Sequence, residues 1–219
     1  SLRLDDTRAS HLQFTPAVEG NRRTFTISAW IKRSVIQNGS ILTAGANNDN
    51  AFRFRFNGAA LQAYDYNGSS NSYDWQLETN ADLRDPAAWY HVMLAVDTTQ
   101  GTNTNRIKLY VNGTQQTDLA VASYPSQNYD TEFNQAIIHR LGETHSVDSA
   151  MNGYLAEVYL LDGVVGTPSD FGETGSYGEW KPKLYTGSFG TNGWYLPFKN
   201  DYTVEGFSAT VWKNAAPMY

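Results

Sequence analysis

Seven residues between positions 64 and 75 carry the chemistry with the clearest use: Tyr64, Asp65, Tyr66, Asn71, Tyr73, Asp74 and Trp75. Aromatic rings stack on the apolar C–H faces of sugars, and sugar hydroxyls need carboxylate, amide or backbone partners, so this mixture suits a glycan site. At a period of two, Tyr64 and Tyr66 share one face of Leu61–Tyr66, and Tyr73 and Trp75 share one face of Ser72–Leu77. If the two strands pair so that these faces coincide, four rings lie side by side. The competing reading puts the rings in the core or under an inter-subunit contact.

Other chemistries find less support. The nearest carboxylate pairs, Glu78 with Asp82, Glu143 with Asp148 and Glu157 with Asp162, are poorly spaced for acid and nucleophile work and mostly lie at turns. No catalytic residue is assigned. His11, His91, His139 and His145 are scattered, without metal spacing or a Ser/Asp triad, and His91 inside a strand reads as a hydrogen-bonded structural residue. The loop Ala46-Asn47-Asn48-Asp49-Asn50 could offer oxygen ligands to Ca²⁺, but Asp49 is its single carboxylate where hard cations want more. No cofactor is required. Asn38, Asn67 and Asn112 fit the N-glycosylation pattern, and hairpin turns explain all three more simply.

The elements that would position these groups are strands. Tyr90 to Asp97 alternates Tyr90, Val92, Leu94 and Val96 against His91, Met93, Ala95 and Asp97; both faces are largely apolar, so this strand is central. Arg106 to Val111 is covered on one side, and Asn112-Gly113 turns it back through Thr114 to Thr117. Phe25, Ile27, Ala29 and Ile31 share a face of 24–33, with Trp30 opposite. Ala51 to Phe56 puts three Phe on one side and two Arg on the other. Shorter strands are expected near Leu2 and Leu4, at 11–14, 40–44, 61–66, 72–77, 136–142, 153–163 and 193–198. Residues 121–135 read as a long polar connection, and Thr167-Pro168-Ser169-Asp170-Phe171 as the one helical turn, with Thr167 as N-cap. Many short strands between Gly, Asn and Asp turns describe an all-β antiparallel sandwich or jelly roll.

The whole chain sets outer bounds. Its 219 residues favour one domain, and a formal net charge of −6 argues against a nucleic-acid partner. There is no cysteine, which removes disulfides and thiolate sites. No apolar run approaches the roughly 20 residues that cross a bilayer, so no membrane insertion is expected. The chain does not open on Met and reads as a fragment or processed product.

Taken in order, the residues resemble the laminin-G-like, concanavalin A-like lectin/glucanase domains, in the version found in structural proteins of tailed bacteriophages. The signposts are Gly20 to Thr26 before Ser28 to Arg33; Ala88-Trp89-Tyr90-His91-Val92; Asn105 to Gly113; Asn152 to Gly163 with Pro168 to Glu173; and Trp180 to Lys183 with Gly190 to Leu196. The resemblance implies one jelly-roll domain over 1–219, with 163–219 a C-terminal extension on the sandwich or on a neighbour. It implies a virion protein, often a tail fibre or other exposed appendage, whose partner is a host-surface glycan or another virion protein. In the second case the domain is a structural or decorating module. A homo-oligomer, trimeric as in phage fibres, fits the same setting. Hydrolases that resemble this group carry a Glu-x-Asp-x-x-Glu strand, which this sequence lacks, so a non-enzymatic domain is expected.

Overall fold

The computed structural model describes residues 1–8, 10–45, 50–144 and 149–198, together with the backbone of 213–214. Its strands are β1 (Leu2–Leu4), β2 (Leu12–Phe14), β3 (Thr24–Arg33), β4 (Gly39–Ala44), β5 (Asn50–Asn57), β6 (Ala60–Asn67), β7 (Ser72–Asp82), β8 (Tyr90–Asp97), β9 (Ile107–Val111), β10 (Thr114–Gln115), β11 (Leu119–Ser123), β12 (His139–Leu141) and β13 (Gly153–Asp162). After the one helical turn α1 (Pro168–Phe171) come β14 (Gly172–Thr174), β15 (Trp180–Pro182), β16 (Trp194–Leu196) and β17 (Lys213–Asn214).

Two antiparallel sheets form a jelly-roll sandwich. The first runs β1-β13-β3-β8-β9-β10 with β16 also on β13, and the second runs β11-β7-β6-β5-β4-β12-β2-β17. Period-two alternation decides what goes inside. Phe25, Ile27, Ala29 and Ile31 of β3 and Val92, Leu94 and Val96 of β8 pack in one core with Phe52, Phe54 and Phe56 of β5, Leu61 and Ala63 of β6 and Leu77 of β7. β8 is interior in its sheet, as its two apolar faces require. Asn112 and Gly113 both take positive φ, +47° and +82°, the type I′ geometry that joins β9 to β10. At α1 the Asp170 carboxylate reaches back to accept from the Thr167 amide at 2.6 Å, with Pro168 at the first helical position.

Three connections differ from the sequence expectation. Residues 121–135 are not all loop: β11 forms the edge of the second sheet beside β7, with Ala122 opposite Leu77 and Ser123 opposite Gln76. Its mostly exposed residues erase the apolar alternation that marks a half-buried strand. The return strand after Asn112-Gly113 is only two residues long. The hairpin β14–β15 was not foreseen; it is tied across by Lys181 and Glu173 at 3.1 Å.

The segment between β13 and β16 packs on the outer face of the first sheet. Phe171, Tyr185 and Phe189 cover Met93, Ala95, Tyr159, Leu161 and Tyr195 there, forming a second apolar cluster. Residues 199–212 and 215–219 lie outside the described residues.

Candidate functional site

A sandwich has two outer faces, and here they are unlike. On the first sheet, His91 lies under the Trp180 indole, whose Nε1 donates to His91 Nδ1 at 3.1 Å, while His91 Nε2 meets Ser28 Oγ at 2.8 Å. Because Nδ1 accepts, the neutral ring carries its proton on Nε2 and donates it to Ser28. A Ser–His pair with that proton placement cannot take a proton from the serine. Burial also lowers the His91 pKa to about 4. His91 is therefore a structural residue that ties the C-terminal segment to the sheet.

The outer face of the second sheet is polar and aromatic. Residues directly opposite in an antiparallel ladder share a face, and the register gives one row across six strands: Gln13, Arg140, Thr43, Arg53, Tyr64 and Gln76. The Tyr64 ring lies beneath the guanidinia of Arg53 and Arg55, at 6.0 and 5.4 Å from its centroid. Arg55 donates to Gln62, and Gln62 and Asn57 both donate to Glu78, so this part of the face is already cross-linked.

The sequence-proposed cluster divides between the two sides of this sheet. The β6–β7 register pairs Asp65 with Trp75 and then Tyr66 with Tyr73, leaving Asp74 as an extra residue. Such a bulge flips the alternation. Tyr73 consequently meets Tyr64 and Tyr66 edge-on, with centroids 5.0 and 5.5 Å away. Tyr66 Oη donates to Asn71 Oδ1 at 2.5 Å. Trp75 instead points inward, fully buried in the core beside Phe52. Four rings side by side on one face are thus not formed: Tyr64, Tyr66 and Tyr73 are brought together, and Trp75 is not with them. Tyr64 is itself buried, so Tyr66 and Tyr73 carry the accessible aromatic surface.

Asp65 also faces inward. One carboxylate oxygen accepts from the Glu132 amide at 2.9 Å, and the Trp75 indole and the Tyr129 hydroxyl also act on the buried carboxylate. Burial pushes the Asp65 pKa up to about 7, against the opposing pull of the Glu132 amide. Asp65 is removed from any sugar-binding rim and anchors the 124–135 connection instead. Asp74 remains exposed at the rim, accepting from Tyr129 Oη at 3.0 Å.

The remaining carboxylates are dispersed. Glu78 belongs to the Gln62–Asn57 network, Glu157 accepts from Tyr195 Oη, Glu143 pairs with His11, and Asp162 binds the amides of Asn21 and Asn192 at 2.7 and 2.9 Å. Among the described residues no group of three His, Cys, Asp or Glu could hold a metal ion. The calcium candidate Asp49 lies outside the described residues, as does Asp148. Two polar cavities occur elsewhere: one of about 280 Å³ on the first sheet, lined by Ala95, Lys108, Tyr110 and Thr167 among others, and one of about 260 Å³ beside Leu77, Leu109 and Tyr124. Neither was apparent from sequence, since each joins residues remote in the chain.

Comparison with known proteins is consistent with this architecture. A laminin G family model, described as the concanavalin A-like lectin/glucanases superfamily, matches residues 6–168. No curated protein matches. Among solved structures, a heptameric SAP-like pentraxin from Limulus polyphemus aligns at TM-score 0.53 and 17% identity, over 75% of this chain and 76% of the pentraxin. Domains LG4-5 of the mouse laminin α1 chain align at TM-score 0.52 and 12% identity, over 72% of this chain and 40% of that one. The CBM40 of the Ruminococcus gnavus IT-sialidase aligns at TM-score 0.50 and 17% identity, over 71% of this chain and 93% of the module. At these identities the likeness describes the fold.

Proposed function

Since the chain belongs to the concanavalin A-like lectin/glucanase superfamily, we propose that it is a non-enzymatic carbohydrate-recognition domain whose binding face is the outer side of the second sheet. The observation that carries this reading is the Tyr73 ring, 47% exposed and held edge-on by Tyr64 and Tyr66 next to a row of polar side chains. A half-exposed ring with fixed orientation stacks on a sugar at little entropic cost, and neighbouring Gln76, Asn71 and Arg53 offer partners for its hydroxyls. On the first sheet the C-terminal segment covers Met93, Tyr159 and Leu161, and the part left open beside Lys108 and Tyr110 is a polar cavity. A non-enzymatic role is supported by Glu78, Glu143, Glu157 and Asp162, which have separate protein partners in different parts of the fold.

The setting we propose is an exposed appendage of a tailed-bacteriophage virion that adheres to a host-surface glycan. Its support is the resemblance carried by Asn152 to Gly163 and Trp180 to Lys183. The reading needs no metal ion. A glycan array probed with the intact chain, with and without Ca²⁺ and beside a Tyr73→Ala variant, tests it. Saturable binding that Tyr73→Ala abolishes is the expected result. No binding by the folded chain would favour a structural module acting through protein contacts.

A further inference from the structure

We infer that the cavity on the outer face of the first sheet binds a small zwitterion, such as an ω-amino acid or a dipeptide, whose ammonium lies at Asp97 and Gln100 and whose carboxylate lies at Lys108 and Tyr110. This site is separate from the proposed glycan face and does not depend on it.

Its first basis is a built trough. Thr26 of β3 stands opposite Ala95 of β8, and Ala95 stands opposite Lys108 of β9, so the three form one row across the sheet. Ile107 and Leu109 turn into the core, and alternation puts Lys108 and Tyr110 on the outer face. Thr26 fixes one wall, because its hydroxyl donates to the Val164 carbonyl at 2.9 Å and accepts from the Gly166 amide at 2.8 Å. Two strand spacings put the Cα atoms of Thr26 and Lys108 about 10 Å apart, with the small Ala95 as the floor between them. The result is an open cavity of about 280 Å³, close to the lower end of small-molecule pockets, which run from roughly 300 to 1,000 Å³. Its lining residues all lie among the described residues.

The second basis is charge that is present and not paired. Lys108 and Asp97 line the same cavity, yet no ion pair joins them, and Lys108 makes no hydrogen bond among the described residues. On adjacent strands they are diagonal neighbours, with Cα atoms about 7–8 Å apart. The other charges nearby are occupied. Arg106 donates to the carbonyls of Gln100, Gly101 and Pro125, and the Asp170 carboxylate accepts from the Thr167 amide and hydroxyl. Among the described residues lining the trough, Lys108 and Asp97 are the charged pair, so it is electrically balanced as a whole. A ligand of single charge gains at one end and loses at the other, whereas a zwitterion gains at both.

The third basis is hydrogen-bonding capacity. Asp97 accepts from the Thr99 amide and hydroxyl at 3.1 and 2.5 Å and from Gln100 Nε2 at 2.6 Å. A carboxylate has about four acceptor sites, so one remains. Gln100 Oε1 stands beside it and has no partner of its own. These two oxygens only accept, which suits an ammonium. At the other end the Lys108 ammonium only donates, and the half-buried Tyr110 hydroxyl is likewise without a partner. Those donors suit a carboxylate. The diagonal placement of Lys108 and Asp97 requires the charges of the ligand to be several bonds apart.

The test is calorimetric titration of the intact chain with a graded series: glycine, β-alanine, γ-aminobutyrate, δ-aminovalerate, ε-aminohexanoate and glycylglycine. Butylamine and pentanoate are the singly charged controls, and galactose is the neutral one. The expected result is that at least one longer zwitterion saturates the chain and binds about tenfold or more tighter than either singly charged control. Lys108→Gln and Asp97→Asn should each remove that advantage, and Gln100→Leu probes the ammonium end should Asp97→Asn fail to fold. Tyr73→Ala should leave zwitterion binding unchanged. No saturable binding of any zwitterion by the folded chain would overturn the inference, as would equal affinity for the singly charged controls or binding that survives Lys108→Gln. Galactose binding in the trough in place of the zwitterions would also overturn it and make the cavity a sugar pocket. Zwitterion binding by a chain that binds no glycan on an array would uphold this site and defeat only the proposed glycan face.

Discussion

Tyr73 and Trp75, two residues apart in one strand, point to opposite sides of the second sheet: Tyr73 is 47% exposed and Trp75 is fully buried. The extra residue Asp74 makes the difference. The two side chains should therefore respond oppositely to truncation. Trp75→Ala empties a core site and should cost about 3–5 kcal/mol of stability. Tyr73→Ala should cost no more than about 1 kcal/mol while removing glycan binding. Urea unfolding of the two variants, read beside their binding, checks both halves.

Acid should weaken the fold through two buried histidines. Burial lowers the pKa of both His91 and His139 to about 4, from 6.5 for a free histidine. Each is neutral in the native state and binds a proton more readily once unfolded. Their contribution is complete above pH 6.5 and is lost as the pH falls toward 4, at roughly 3 kcal/mol per residue. Unfolding free energies measured from pH 7 to pH 4 should show this decline, and His91→Gln should flatten it.

Asp65 should act in the opposite sense. Its pKa rises from 3.8 to about 7, so its contribution is complete below pH 3.8 and is lost as the pH climbs through 7. The expected swing is roughly 4 kcal/mol. Across the range between pH 4 and 7 it offsets part of the histidine effect. In an Asp65→Asn variant this opposing slope should disappear, so that wild type loses ground to the variant as the pH rises from 4 to 8. Parallel stability curves would refute the assignment.

Asp162 at the end of β13 ties three segments together. Its carboxylate accepts from the amides of Asn21 and Asn192 and from Asn134 Nδ2 at 2.7, 2.9 and 3.1 Å. Asp162→Ala leaves these donors without their acceptor and should cost about 3 kcal/mol or more, whereas Asp162→Asn keeps part of the acceptor set and should cost less. Thermal unfolding of the two variants ranks them.

The strand pattern was legible wherever one face is apolar. Residues 24–33, 51–56 and 90–97 alternate cleanly, and the structure places those faces inside the sandwich. The edge strand β11 was not legible because it buries little and so leaves no periodic trace. Within the candidate site, the grouping of Tyr64, Tyr66 and Tyr73 follows from period two and a hairpin, but one bulge sends Trp75 inward. A bulge at Asp74 has no strong sequence mark, since it needs neither Gly nor Pro. The row from Gln13 through Arg140, Thr43 and Arg53 to Tyr64 was not legible either, because it depends on the non-sequential order β2-β12-β4-β5.

The most direct test of the central claim is to map where a glycan lands. The ligand selected on an array is titrated into isotopically labelled protein, and backbone amide shifts are followed by NMR. The account predicts that the largest shifts fall on residues 53–55, 62–66, 73–76 and 140. Shifts concentrated instead around Ala95, Lys108, Tyr110 and Thr167, the cavity on the first sheet, would contradict it and move the binding site to the opposite face.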